Sequence, residues 1–204
     1  AQTFSDCNII AEESGSLDRG AHRSVAVDPL DGTNNFVLGI PHFAVSLALL
    51  EGETIVAAVV HQPMLRQTYW ASRDNGAFLD GTRIGVNGQA DVRQATVAQV
   101  YPYRVLSDDV GSRSQRLWQL SCRRVLLAWA PALDFCLLAS GKIEAVVHYG
   151  SEFYDYAAGK LIAREAGAKI TSLSGSALPS DRDRQFLASN GTGLHDQLVA
   201  ALSV

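Results

Sequence analysis

Asp28-Pro29-Leu30-Asp31-Gly32-Thr33-Asn34-Asn35-Phe36 follows directly on the mostly apolar run Ser24–Val27. Two aspartates three positions apart, across a proline turn, can aim both carboxylates at one point beyond a strand end. Hard divalent cations take such oxygen ligands, and a turn can add a backbone carbonyl, here that of Leu30. Gly32 and Thr33 then open what reads as a single helical turn, stopped at Gly39-Ile40-Pro41. Backbone N–H groups at a helix start form a phosphate cradle. The same letters suit an Asp-rich turn with Thr33 as N-cap. Taken alone, the stretch leaves both readings open.

Strands surround this motif. Phe43–Leu50 and Ile55–His61 flank Glu51-Gly52-Glu53 as an antiparallel hairpin, and Gln67–Ala71 adds a third strand. Asn75-Gly76 and Asp80-Gly81 are turn signals, the second closing a small hairpin from Ala77–Leu79 to Arg83–Gly85. The near-continuous Val/Ile/Leu/Ala content of the first hairpin predicts strands covered on both faces.

The second half alternates elements. Pro131 suits the first turn of a helix carrying Leu133, Cys136, Leu137 and Ser140 on one face and stopping at Gly141. Ile143–Val147 reads as a strand. Tyr154–Ala166 is a helix with Tyr154, Ala157, Ala158, Leu161 and Ile162 on its apolar face and Gly167 as its stop. A short strand at Phe186–Ala188 and a final helix at Leu194–Leu202 follow the loop Ser172–Pro179. The chain reads as one domain over 1–204, with a β-rich half over 1–90, an α/β half over 91–204 and a boundary near Gln89–Arg93.

Composition narrows the function classes. The 204 residues are 47% apolar and 19% charged, which permits a well-filled core. A net charge of −4 offers no basic footprint for nucleic acid or an anionic membrane. Cys7, Cys122 and Cys136 are odd in number and widely spaced, so they read as reduced core thiols of a cytoplasmic protein. No signal segment is visible, and the longest apolar stretches fall well short of the roughly 20 residues that span a bilayer. His22, His42, His61, His148 and His195 are scattered, which argues against zinc. Neither a Gly-x-Ser-x-Gly elbow nor a P-loop is present.

Two further acidic sites matter through their order along the chain. Glu12-Glu13 follows the apolar pair Ile9-Ile10, and Asp155 opens the Tyr154 helix. Each has an ordinary reading, as solvated surface and as N-cap. Together with Asp28–Phe36 they resemble the inositol monophosphatase family, whose first signature is similar to Asp28–Phe36 nearly residue for residue. The family's second signature resembles Tyr154-Asp155-Tyr156-Ala157-Ala158-Gly159, and its upstream Gly-Glu-Glu resembles Ala11-Glu12-Glu13. Ala132–Cys136 and Gly76–Gly81 also look like the family, so the resemblance covers essentially the whole chain.

The resemblance implies an α+β, αβαβα-layered sandwich of the inositol monophosphatase and fructose-1,6-bisphosphatase type, here without the usual N-terminal helices. It implies a phosphoric monoester hydrolase in which Glu13, Asp28, Asp31, Asp155 and the Leu30 carbonyl hold two or three Mg²⁺. By the same resemblance the N–H groups of Gly32 and Thr33 hold the phosphate, and Glu13 and the Thr33 hydroxyl position the attacking water. Asp31, Gly32, Thr33, Pro131, His148 and Asp155 would touch substrate. Lithium sensitivity and a homodimer are further implications. Bound cations also explain how an acidic protein takes an anionic substrate.

Departures from the family pattern bear on specificity. Tyr154 replaces a Trp and keeps an aromatic wall. Trp129-Ala130-Pro131 stands where the family has a Gly-Ser/Thr-Ala stretch lining the substrate pocket; Trp129 reads equally as pocket wall or core. His148 aligns with an acid that reaches the inositol hydroxyls, or it is structural. The substrate expected is therefore a small phosphate ester that is a polyol, sugar or nucleotide phosphate, with inositol phosphate not favoured. The alternative is a truncated or inactive member that acts as a ligand-binding or interaction protein.

Overall fold

The computed structural model describes residues 5–12, 15–102 and 108–203, so Glu13 lies outside the described residues. Strands β1 (Cys7–Ala11), β2 (Gly15–Leu17), β3 (Arg23–Asp31), β4 (Ala44–Glu51), β5 (Thr54–Gln62), β6 (Gln67–Ser72), β7 (Ala77–Leu79) and β8 (Thr82–Ile84) form one sheet. Its order is β2-β1-β3-β4-β5-β6-β7-β8. A five-residue helix, α1 (Thr33–Val37), links β3 to β4. The second sheet has the order β10-β9-β11-β13-β12, from β9 (Thr96–Val100), β10 (Arg124–Leu126), β11 (Ala145–His148), β12 (Lys169–Thr171) and β13 (Phe186–Ser189). Helices α2 (Asp108–Gln119), α3 (Pro131–Ala139), α4 (Phe153–Glu165) and α5 (Leu194–Leu202) complete the chain.

Side-chain alternation in the second sheet fixes the layers. Ala98, Val100, Val146, Phe186 and Ala188 face one way, into a core shared with α3, α4 and the first sheet. Val97, Ala145, Val147 and Leu187 face the other way, into a core shared with Val110 and Leu117 of α2 and Leu194, Leu198 and Leu202 of α5. The described layers therefore run sheet, α3/α4, sheet, α2/α5. This is the expected sandwich without an outer helical layer on the first sheet. No helix among the described residues is long and apolar enough to cross a membrane.

Helices α3 and α4 can lie close because Gly159 has no side chain. A Cβ there would meet the Phe135 Cβ at 2.7 Å and the Ala132 carbonyl oxygen at 3.1 Å. The small residue thus sets how deeply the α4 aspartate end is drawn toward α3.

The first sheet corrects one expectation. Along β4, Ala44, Ser46, Ala48 and Leu50 are buried while Val45, Leu47, Leu49 and Glu51 are half-buried. Val59 and Trp70 on the outer side are 39% and 36% exposed, and Trp70 stacks on Phe78 at 4.3 Å. Only one face is fully covered, so the apolar run reflected a half-open sheet with an apolar outer side. Strand β3 also continues beyond Val27 through the Asp-Pro turn, with a register shift between Asp28 and Asp31.

Candidate active site

Strand pairing explains how the acids meet. β1 runs parallel to β3 with Ala11 opposite Val27, so the next residues, Glu12 and Asp28, stand side by side at one strand end. The Glu12 charge raises both the Asp28 and Asp155 carboxyls. The irregularity in β3 returns Asp31 to the same end. Asp155 arrives from the first turn of α4, where its Oδ2 accepts the Glu152 N–H at 2.9 Å in a capping box.

Among the described residues these carboxylates have no ion-pair partner. Asp28 and Asp31 are each 2% exposed. Asp28 Oδ1 accepts the Leu30 N–H at 2.9 Å, and Asp31 Oδ2 accepts the Ala132 N–H at 3.1 Å, at the start of α3. Burial is the main reason the Asp28 carboxyl is pushed up to about 7, with Glu12 and Asp155 adding to it. Asp155 is pushed up to about 6, again chiefly by burial. Asp31 is held well above the usual carboxylate range by burial, then by Asp28, Asp155 and Asp134. Asp134, in α3, is pushed up to about 8 by burial, and neither of its oxygens has a partner among the described residues.

A cluster of acids, with Asp28 and Asp31 buried and held chiefly by backbone N–H groups, fits a hard divalent cation, which prefers oxygen ligands and supplies the missing positive charge. Among the described residues, no three His, Cys, Asp or Glu side chains already form a closed ligand set. Neighbouring acid charge contributes to the raised proton affinity of Asp28, Asp31 and Asp155. The Leu30 carbonyl, at the same turn, accepts the Thr33 hydroxyl at 2.9 Å.

The turn itself is built around Gly32. Its φ of +89° is a left-handed conformation, and a Cβ there would lie 3.0 Å from the His42 carbonyl oxygen and 3.2 Å from the Ala130 Cβ. Asn35, 3% exposed, locks the turn by donating its amide to the carbonyls of His42 and Ala128, each at 2.7 Å. Sequence reading passed over Asn35, whose role needs the fold to be seen. Glu13 lies outside the described residues, and its neighbour Glu12 is the glutamate that the β1–β3 register sets beside Asp28.

Other expected contacts fall differently. Pro131 is half-buried at the first position of α3, beside the Ala132 N–H that binds Asp31. His148 is fully buried and faces away from solvent. Its Nδ1 meets the Arg184 carbonyl at 2.5 Å and its Nε2 the Ser151 hydroxyl at 2.9 Å, while its ring stacks on Phe186. Burial pushes it down to about 3, so it stays neutral near pH 6. This packing favours the structural reading of His148 over a substrate contact. Trp129 is the reverse case, 56% exposed, so it is not core.

Comparison with known proteins places this geometry among relatives. A sequence model of the inositol monophosphatase family matches residues 1–204. A Thermotoga maritima protein named fructose-1,6-bisphosphatase/inositol-1-monophosphatase is 34% identical over 200 residues, covering 98% of this chain and 75% of the relative. The Nus factor SuhB of Vibrio cholerae is 39% identical over 171 residues, covering 82% of this chain and 63% of the relative. Among solved structures, the extragenic suppressor protein suhB from Bartonella henselae superposes with a TM-score of 0.90 at 28% identity, covering 98% of this chain and 77% of that one. The Thermotoga maritima IMPase superposes with a TM-score of 0.84 at 33% identity, covering 98% and 76%.

Proposed function

The chain belongs to the inositol monophosphatase family, and from that premise we propose that it is a Mg²⁺-dependent phosphomonoesterase of a small phosphorylated metabolite. One observation carries the reading: Glu12, Asp28, Asp31 and Asp155 gather beside the Gly32-Thr33 turn with no cation to match them among the described residues. The names of relatives that describe fructose-1,6-bisphosphatase and inositol-1-monophosphatase support the same chemistry.

In this proposal Asp28, Asp31, Asp155, the Leu30 carbonyl and a glutamate of the Glu12-Glu13 pair hold two or three cations. The register argument favours Glu12 for that role. When bound, the cations offset the carboxylates, polarise the phosphoryl group and activate water for in-line attack. The chain's own work is positioning. The Gly32 and Thr33 N–H groups face phosphate oxygens, the Thr33 hydroxyl orients the attacking water, and the start of α3 keeps Asp31 in place. Lithium inhibition accompanies this reading. A homodimer is part of the proposal too, supported by the exposed apolar strip Phe36, Val37, Leu38 and Ile40 on and beyond α1.

A second reading rests on the relatives named Nus factor, which suggests an interaction protein. The net charge of −4 gives no basic surface to favour a nucleic-acid partner. Phosphate release from a panel of sugar, polyol and nucleotide phosphates, with Mg²⁺ and with EDTA, tests the choice. The phosphatase reading expects release with Mg²⁺ and its loss in EDTA; full activity in EDTA, or none on any ester, overturns it.

A further inference from the structure

The segment Ala128–Ala132 is tied to the phosphate turn at three points. Asn35 donates to the Ala128 carbonyl, the Ala130 Cβ would lie 3.2 Å from a Cβ on Gly32, and the Ala132 N–H donates to Asp31. Residue 129, in the middle of this pinned segment, is a tryptophan with φ of +54°. A bulky residue in the left-handed region is strained, at a cost of about 1–3 kcal/mol, and persists only where its surroundings hold it. Yet the indole is 56% exposed, and no ring contact or hydrogen bond engages it among the described residues. Nothing in the core explains it.

The neighbouring groups give the wall a definite chemistry. Ala130 is apolar and buried, and Pro131 has no N–H to offer a substrate hydroxyl. His148 is buried, with its ring nitrogens occupied by Arg184 and Ser151. From Trp129 to Pro131 the segment beside Gly32 therefore carries an exposed indole followed by two groups without side-chain donors. A polyol, covered in hydroxyls, finds few partners on it. A planar heteroaromatic ring finds a stacking surface.

We propose that Trp129 is a specificity-determining residue that stacks on a flat heteroaromatic group of the alcohol part, so that nucleoside monophosphates are preferred to polyol phosphates. The inference rests on the phosphomonoesterase reading above. Stacking of a base on an aromatic side chain is sequence-tolerant and strong enough to shift affinity by tenfold or more.

The test compares adenosine monophosphate with glycerol 2-phosphate on wild type, Trp129→Gly and Trp129→Phe. Glycine relieves the positive φ, so the Gly variant is expected to fold with a melting temperature at or above wild type. The ratio of kcat/KM for the nucleotide over the polyol ester is expected to fall about tenfold in Trp129→Gly, with the loss in KM, and to return in Trp129→Phe. Independently, adenosine monophosphate is expected to quench wild-type indole fluorescence and to leave Trp129→Phe unquenched. A ratio unchanged in the Gly variant overturns the inference and spares the phosphatase reading. If wild type hydrolyses neither these two esters nor any of the wider panel, the phosphatase reading fails, and absence of quenching by adenosine monophosphate overturns the stacking as well. Equal loss on both esters, with a halved mass on gel filtration, makes Trp129 an interface residue and also overturns it.

Discussion

Two regions of this protein bury charge and treat it in opposite ways. Around the loop 180–185, charges are matched. Asp181 accepts from Arg164 at 2.5 Å and from the Ile55 N–H at 3.1 Å, and Arg164 holds its carboxyl below the usual range although burial alone would raise it. Lys160, fully buried, donates to the Asp181 carbonyl at 2.8 Å and lies 4.4 Å from the Phe186 ring centroid. At the strand ends that bring Glu12, Asp28, Asp31 and Asp155 together, no such matching occurs among the described residues, and the Asp28, Asp31 and Asp155 carboxyls are pushed up instead. The same fold can pair buried charge. Where it does not, the missing partner is best supplied from outside, because an uncompensated buried charge is costly to keep.

The largest expected effect is at the unmatched end. Asp31→Asn is expected to lower kcat/KM by on the order of a hundredfold or more, since a ligating charge is lost where transition-state charge must be offset. Its stability in EDTA is expected to stay within about 1 kcal/mol of wild type, because the amide oxygen still accepts the Ala132 N–H. Denaturant curves in EDTA beside steady-state kinetics check both halves. Unchanged turnover with an unchanged Mg²⁺ requirement would return Asp31 to a turn-forming role.

The matched end is expected to behave inversely. Asp181→Ala leaves a mostly buried Arg164 unpaired and the Ile55 N–H without its acceptor, for a loss of about 2–4 kcal/mol in denaturant stability. Its kcat/KM, measured well below the melting temperature, is expected to change little. A large activity loss without a stability loss would break the contrast.

Protonation sharpens the comparison further. Asp28 and Asp155 titrate near 7 and 6 in the cation-free protein, so cation binding displaces protons from them. Affinity for Mg²⁺ is therefore expected to weaken as pH falls from about 7 to 5, with proton release seen as buffer-dependent heats in calorimetry. A pH-independent affinity over that window would contradict the raised carboxyls.

The smallest effect is expected at the half-exposed pair of Arg184 and Glu152, both more than half exposed. Arg184→Ala is expected to cost less than about 1 kcal/mol. Guanidinium chloride midpoints measured beside Asp181→Ala would show how much depends on burial and how little on the presence of an ion pair.

Much of this contrast was legible before the fold was seen. The Asp28–Phe36 motif, the α4 helix with Asp155 in its first turn, and the final helix Leu194–Leu202 all carry strong local signals in spacing, caps and turns. Strand β9 and helix α2 were not read. Gly111, Ser112 and Ser114 weaken the helix signal of α2, and only Val110 and Leu117 of its apolar residues are buried. Glu12 could not be told from Glu13 by letters alone, since the distinction lies in the β1–β3 register. Burial of His148 and exposure of Trp129 likewise depend on long-range packing, of Phe186 and Ser151 on one side and Asn35 on the other.

The central claim is that the four gathered acids are a cation site. Calorimetric titration of Mg²⁺ into wild type, Glu12→Gln, Asp31→Asn and Asp181→Ala tests it most directly. Saturable binding by wild type and Asp181→Ala, weakened by at least about tenfold in Glu12→Gln and Asp31→Asn, is the result predicted here. Equal affinity in all four proteins, or no binding by wild type, would contradict it.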